Sequence, residues 1–153
     1  MARPGIPRRR LMQALTVVAL TLGMAIGGCS SDATVPSWDP AAFQALRTLQ
    51  FLTVGPEEGP HWSTVWLVVL DGAVYVRLGT RAADRMRQNT TTPHVAVRIG
   101  GREYPRVRTE SQPAMAGRVA AAMADKYGFD LIVRHFEHPL TMRLTPDPAA
   151  AGS

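Results

Sequence analysis

Between Trp62 and Leu70 the chain is a run of β-branched and apolar residues in which Val65, Leu67 and Val69 point one way and Trp66, Val68 and Leu70 the other. Both faces are apolar, so the run predicts a central strand covered on both sides. Ala73 to Leu78 reads as a second strand. Asp71-Gly72 stands between the two, and Asp-Gly suits the type I′ turn of a tight hairpin. His94 to Ile99 and Arg102 to Thr109 predict another pair around Gly100-Gly101, with Pro105 marking an edge or a bulge.

Helical periodicity is sparser. Asp39-Pro40 opens a helix, Asp as N-cap and Pro in the first turn, with Ala42, Phe43, Leu46 and Leu49 as its apolar face. Phe51 to Val54 then reads as a strand ending at Gly55-Pro56. Thr80 to Asn89 predicts a helix capped by Thr80, and Ser111 to Tyr127 another, with Pro113 near its start, Gly128 after its end, and Met115, Val119, Ala122 and Met123 facing the core. Leu131 to Phe136 and Leu140 to Leu144 complete the strands. Short antiparallel connections with few helices predict a mainly β, α+β domain or compact barrel rather than a doubly wound sheet.

The amino terminus has a different character. Arg3, Arg8, Arg9 and Arg10 precede an apolar run from Leu11 to Ile26, and Ile26-Gly27-Gly28-Cys29 closes it. This is the order of a secretory signal, and the run is shorter than the ~20 apolar residues of a spanning helix. Cys29 is the sole cysteine, so no intramolecular disulfide can form. The segment resembles a lipobox, which implies a diacylglycerol thioether on Cys29, cleavage after Gly28, and a protein held by lipid at the extracytoplasmic face of the membrane. Residues 1–28 are thus expected to be the signal peptide, 29–38 an acylated tether, 39–148 the folded domain and 149–153 a tail. Pro7 to Gln13 fits a twin-arginine signal and an arginine-rich ordinary one alike.

Processing changes the charge. The chain carries +5, and the four leader arginines have no acidic counterpart, so the mature chain carries +1. That excludes a nucleic-acid protein argued from a high isoelectric point. Between Arg77 and Arg108, however, eight arginines face only Asp84 and Glu103. The cluster suits an anionic small ligand or lipid headgroups; equally, arginine is simply this chain's basic residue, Lys126 being its one lysine.

Most motif chemistry is missing. There is no G-x-S-x-G elbow, and Ser63 two residues after His61 makes no triad. His135-Phe136-Glu137-His138 is a metal candidate, but a strand separates its two imidazoles and Pro139 discourages a helix, leaving a solvated strand end. No glycine-rich phosphate loop occurs. An anion would be held by Thr80, the N–H groups after it, and Arg81 or Arg85, where unpaired donors, helix dipole and guanidinium coincide.

The stretch from His61 through Val-Val-Leu-Asp-Gly-Ala-Val-Tyr-Val-Arg-Leu-Gly-Thr-Arg to Arg85, then Pro93-His-Val-Ala-Val-Arg-Ile-Gly-Gly-Arg, Ala122-Met-Ala-Asp-Lys-Tyr-Gly and Met142-Arg-Leu-Thr-Pro, resembles the split β-barrel superfamily of pyridoxamine-phosphate oxidase and of flavin- or deazaflavin-binding oxidoreductases. The resemblance spans about residues 45–146. It implies a six-stranded antiparallel split barrel with two or three helices, usually a homodimer, with flavin mononucleotide (FMN) or a deazaflavin at the subunit interface. Carried over by position, it implies Arg77, Thr80, Arg81 and Arg85 for the phosphate, and His61, Thr64 and Trp66 beside the isoalloxazine ring. It also implies a flavin-dependent oxidoreductase, or a barrel that binds a ligand or partner without catalysis. Superfamily members have also lost the flavin, or use haem instead. Tyr75 and His61 are the acid–base candidates. Two departures stand out: arginine fills the basic position often held by lysine, and Glu57 and Glu58 would oppose an anion lying close to them.

Overall fold

The computed structural model describes residues 36–128 and 139–147. The expected signal peptide, Cys29, most of the tether, the strand at 131–136, the His135–His138 cluster and the tail lie outside the described residues. Six antiparallel strands, β1 (Thr48–Gly55), β2 (Gly59–Leu70), β3 (Ala73–Leu78), β4 (His94–Ile99), β5 (Arg102–Ser111) and β6 (Leu140–Pro146), close a barrel in the order β1-β2-β3-β6-β5-β4. Three helices accompany them: α1 (Pro40–Phe43), α2 (Thr80–Arg87) and α3 (Ala116–Tyr127). The mainly β barrel expected from the hairpins is the fold observed.

Strand alternation fills the interior. Leu49 and Phe51 from β1, Leu67 from β2, Val74 and Val76 from β3, Val95, Val97 and Ile99 from β4, and Met142 and Leu144 from β6 form one buried cluster. The β2–β3 hairpin turns through Asp71 and Gly72, whose φ values of 51° and 73° are the positive ones a type I′ turn demands. Pro105 sits at a bulge. Val95 pairs with Val107 but Val97 with Tyr104, so Pro105 and Arg106 together oppose Ala96, and β5 keeps neighbours on both sides.

Several sequence expectations are corrected. The helix from Pro40 lasts four residues, capped by the Asp39 carboxylate on the Ala41 and Ala42 N–H groups, and does not reach Leu49. Leu49 instead begins the inward row Leu49, Phe51, Thr53 of β1, because one residue can satisfy both a 3.6 and a 2 repeat and the barrel offers the larger burial. Thr80 does not cap α2; the cap position is Gly79, which has no side chain to offer, and Thr80 is the first helical residue. The last long helix starts at Ala116, since β5 runs on to Ser111 and a short 3₁₀ turn intervenes. Finally, β2 is covered on its outer face where Val68 and Leu70 meet the cluster of Val119, Met123 and Tyr127 of α3, whereas Thr64 and Trp66 stay exposed.

Candidate functional site

The β2 ladder divides at Trp66. Residues 59–66 pair with β1, and residues 67–70 pair with β3. Past the Leu67–Val76 pair, β3 therefore leaves β2, passes Leu78 and turns at Gly79 into α2. A cavity of about 570 Å³ opens in this divergence. Thr64, Val65 and Trp66 form one wall, Arg77 to Ala82 contribute the other, and Met123 of α3 and Thr48 of β1 complete it.

Each wall is anchored. Ala83 and Met86 of α2 are buried against the barrel. Beyond the helix, the Asn89 side chain accepts the Val54 N–H at 2.9 Å and donates to the His94 carbonyl at 3.2 Å, tying α2 to β1 and β4. On the other side, the Tyr127 hydroxyl accepts the Leu67 N–H at 3.2 Å and lies 2.6 Å from the Leu67 carbonyl. The ring of Tyr127 stacks on Trp66 with centroids 5.2 Å apart. Lys126 donates to the carbonyls of Leu46 and Leu67 at 2.6 and 3.2 Å. Burial, with Arg47 nearby, lowers the Lys126 pKa, and burial raises that of Tyr127. The chain's one lysine thus serves the backbone.

The cavity is electropositive. Arg77 is partly buried, its Nε has no hydrogen-bond partner, and burial lowers its pKa. Arg77 and Arg81 form no salt bridge among the described residues. Because Gly79 provides no side-chain cap, the N–H groups of Thr80, Arg81 and Ala82 have no intrahelical acceptor, and these residues line the cavity. Guanidinium groups, a helix start and the apolar lining residues Trp66, Val65 and Met123 fit a ligand with an anionic end and a planar apolar body.

Of the seven residues singled out in the sequence for cofactor binding, Thr64, Trp66, Arg77, Thr80 and Arg81 meet on this cavity. His61 and Arg85 are not among its lining residues. Glu58, from the turn between β1 and β2, takes Arg85 in a bidentate pair at 2.8–3.1 Å and lies 3.5 Å from His61 Nδ1. Arg85 holds the Glu58 carboxyl below its ordinary range, and Glu58 raises the Arg85 pKa in turn. Tyr75 is 7 % exposed in the cluster beneath α3, away from the cavity lining. Thr48, Val65 and Met123 escaped sequence reasoning; Val65 and Met123 were assigned to core faces, and nothing local marks Thr48.

Two solved structures share the architecture. The haem storage protein HutZ from Vibrio cholerae is 17 % identical over 70 % of this chain and 87 % of its own, with a TM-score of 0.52. A conserved hypothetical protein from Mycobacterium tuberculosis is 18 % identical over 74 % of this chain and 83 % of its own, with a TM-score of 0.53. No family model and no curated protein matches the sequence. The likeness establishes the split-barrel fold; what the barrel binds rests on its residues.

Proposed function

We propose that this protein is a lipid-anchored redox protein of the extracytoplasmic membrane face that binds FMN, or a deazaflavin, in the cavity between β2, β3 and α2. One observation carries the reading: two arginines without carboxylate partners and the uncapped start of α2 converge beside an indole face in a single concavity. Arg77, Arg81 and the first N–H groups of α2 hold the phosphate. Trp66, Val65 and Met123 flank the ring and exclude water from one side. Thr64 presents a hydroxyl whose oxygen already accepts from Gln50 Nε2 at 3.3 Å. When bound, the ring system supplies the hydride or electron chemistry.

The test is titration of FMN with the full chain in detergent, read by flavin fluorescence. Saturable quenching is expected, with riboflavin, which lacks the phosphate, bound about a hundredfold more weakly. Absence of quenching with both FMN and a deazaflavin removes the cofactor reading. The membrane part has its own test: Cys29→Ala should release the protein from the membrane fraction, and full retention would count against acylation. The homodimer implied by the resemblance belongs to the same reading, and sedimentation of the full chain should give twice the chain mass after correction for detergent.

A second reading is a barrel that carries its ligand without turning it over. Among the described residues, arginine is the only titratable type on the cavity wall, Tyr75 lying under α3 and His61 beside Glu58. HutZ, of the same fold, is described as a storage protein. Reduction of the bound cofactor no faster than that of free FMN, across a panel of reductants, would favour carriage.

A further inference from the structure

The chain enters the barrel at a fixed point. Tyr104, buried on β5, donates its hydroxyl to the Ser37 carbonyl at 3.1 Å, and its ring meets Trp38 edge-on with centroids 5.0 Å apart. Trp38 also meets Phe43 edge-on at 5.1 Å, and Phe43 belongs to the buried cluster of the barrel. Leu46 packs on the Gly100-Gly101 turn so closely that a Cβ at Gly100 would lie 3.2 Å from its Cδ1. This stretch is thus fastened to one end of the barrel, formed by the start of β1 and the β4–β5 turn. Gln50 pairs with Arg98 and Gly55 with Gly59, so the turn between β1 and β2 lies at the opposite end.

The two ends differ in charge. At the first, Arg98 is held by Glu103 at 2.7 Å, and the exposed Asp39 carboxylate accepts the Ala41 and Ala42 N–H groups. Arg47 and Arg102 are exposed there, and neither has a carboxylate partner among the described residues; the Arg47 guanidinium lies 5.4 Å from the centre of the Tyr127 ring. At the opposite end Glu58 is paired with Arg85, and the exposed Glu57 has no salt bridge among the described residues. An anionic surface attracts the first end and repels the second.

We infer that the barrel stands on the membrane with this first end down, Arg47 and Arg102 lying on the headgroups of anionic phospholipids. The inference rests on the lipid anchor in the reading above and adds an orientation to it. Ser37 is eight residues after Cys29, a reach of at most about 29 Å. To seat the opposite end on the lipid, those residues would have to run back almost fully extended along β1, whose eight residues span about 26 Å. The first end meets the surface without that constraint. Each unpaired guanidinium within about 8 Å of an anionic leaflet then adds its own attraction.

The experiment places a fluorophore at either end of the full chain, matured in a bacterial host and reconstituted in vesicles. Ala45 and Pro56 are exposed at the first and second ends, and Ala45→Cys or Pro56→Cys supplies the attachment point. Cys29 is the sole native cysteine, so with lipid on it each chain takes one label. In phosphatidylglycerol vesicles whose headgroups carry an energy acceptor, the label at 45 should be quenched several-fold more than the label at 56. Adding Arg47→Gln with Arg102→Gln should lower that ratio by about twofold or more there, and leave it unchanged in phosphatidylcholine vesicles. Equal quenching at the two positions, or stronger quenching at 56, overturns the orientation while leaving the anchor standing. A ratio that the double variant leaves unchanged in phosphatidylglycerol, or changes equally in both lipids, overturns the headgroup contact. Two labels per chain, with the protein left in solution, removes the lipid anchor and this inference with it.

Discussion

The arginines of this barrel fall into two populations. Six of the eleven described arginines are salt-bridged: Arg85 to Glu58, Arg87 to Asp84, Arg98 to Glu103, Arg106 to Asp147, Arg108 to Glu110 and Arg118 to Asp71. Arg47, Arg77, Arg81, Arg102 and Arg143 have no carboxylate partner among the described residues, and Arg77 and Arg81 line the cavity between β2, β3 and α2. Density of positive charge along the sequence is therefore a poor guide to where an anion binds. The useful quantity is the charge left over after neighbouring carboxylates have been satisfied, and two of these five, Arg77 and Arg81, lie together beside the divergence of β2 and β3.

The comparison is broken most directly by removing one member of each population at a time. Arg77→Ala with Arg81→Ala should lower FMN affinity by about a hundredfold or more, since each charged hydrogen bond to phosphate contributes about 1.5–3 kcal/mol. Arg106→Ala with Arg108→Ala removes the same formal charge from the salt-bridged population and should leave the affinity within about twofold, as exposed charges are screened beyond ~8 Å at physiological ionic strength. Fluorescence titration of the two double variants checks both. Equal losses would mean that a diffuse field, not the cavity, attracts the ligand.

A second contrast concerns how the walls are held. Tyr127→Phe keeps the ring on Trp66 but strips the hydroxyl from the Leu67 N–H and carbonyl, leaving the N–H to the Arg47 carbonyl at 3.3 Å and the carbonyl to Lys126 at 3.2 Å. Destabilisation of about 0.5–1.5 kcal/mol is expected in urea unfolding. Arg77→Met should act in the opposite direction. Its guanidinium has a buried Nε with no partner, so an apolar stem of similar length should raise ligand-free stability by about 1 kcal/mol while weakening FMN binding. A variant that loses both stability and affinity would show that Arg77 supports the fold rather than a ligand.

These distinctions mark the limit of what the sequence discloses. The barrel was legible because strand alternation, Asp71-Gly72 and Gly100-Gly101 are local signals that agree with one another. The helix start at Thr80 was legible for the same reason, although its cap was assigned one residue late. The pairing of charges was only half so. Arg87, Arg98 and Arg108 pair with carboxylates within five residues, but Glu58 lies 27 residues from Arg85, Asp147 lies 41 from Arg106, and Asp71 lies 47 from Arg118, so closure of the barrel decides these three. The same holds for Tyr127, which reaches Leu67 from 60 residues away and sets the wall on which Trp66 rests. Leu49 misled in a different way: its spacing from Phe43 and Leu46 suits a helix, and its spacing from Phe51 and Thr53 suits the strand it joins.

The smallest expected effect is also the one that tests the division between the two populations at its border. Arg85 stands one helical turn from Arg81 and is kept out of the unpaired set by Glu58 alone. Glu58→Gln should release that guanidinium and raise FMN affinity by roughly twofold at physiological salt, the modest figure reflecting exposure and screening. The sign with pH follows from the lowered pKa of Glu58: the carboxylate persists through the ordinary acidic range and is neutralised only as pH falls below it. The ratio of variant to wild-type affinity should therefore be constant at neutral pH and fall toward one in strong acid, where protonated Glu58 behaves like glutamine. Titration of the FMN phosphate itself alters both proteins alike and cancels in the ratio. A ratio of one at neutral pH would mean that Arg85 lies beyond reach of the phosphate whether or not Glu58 holds it, and that the anion site ends at Arg81.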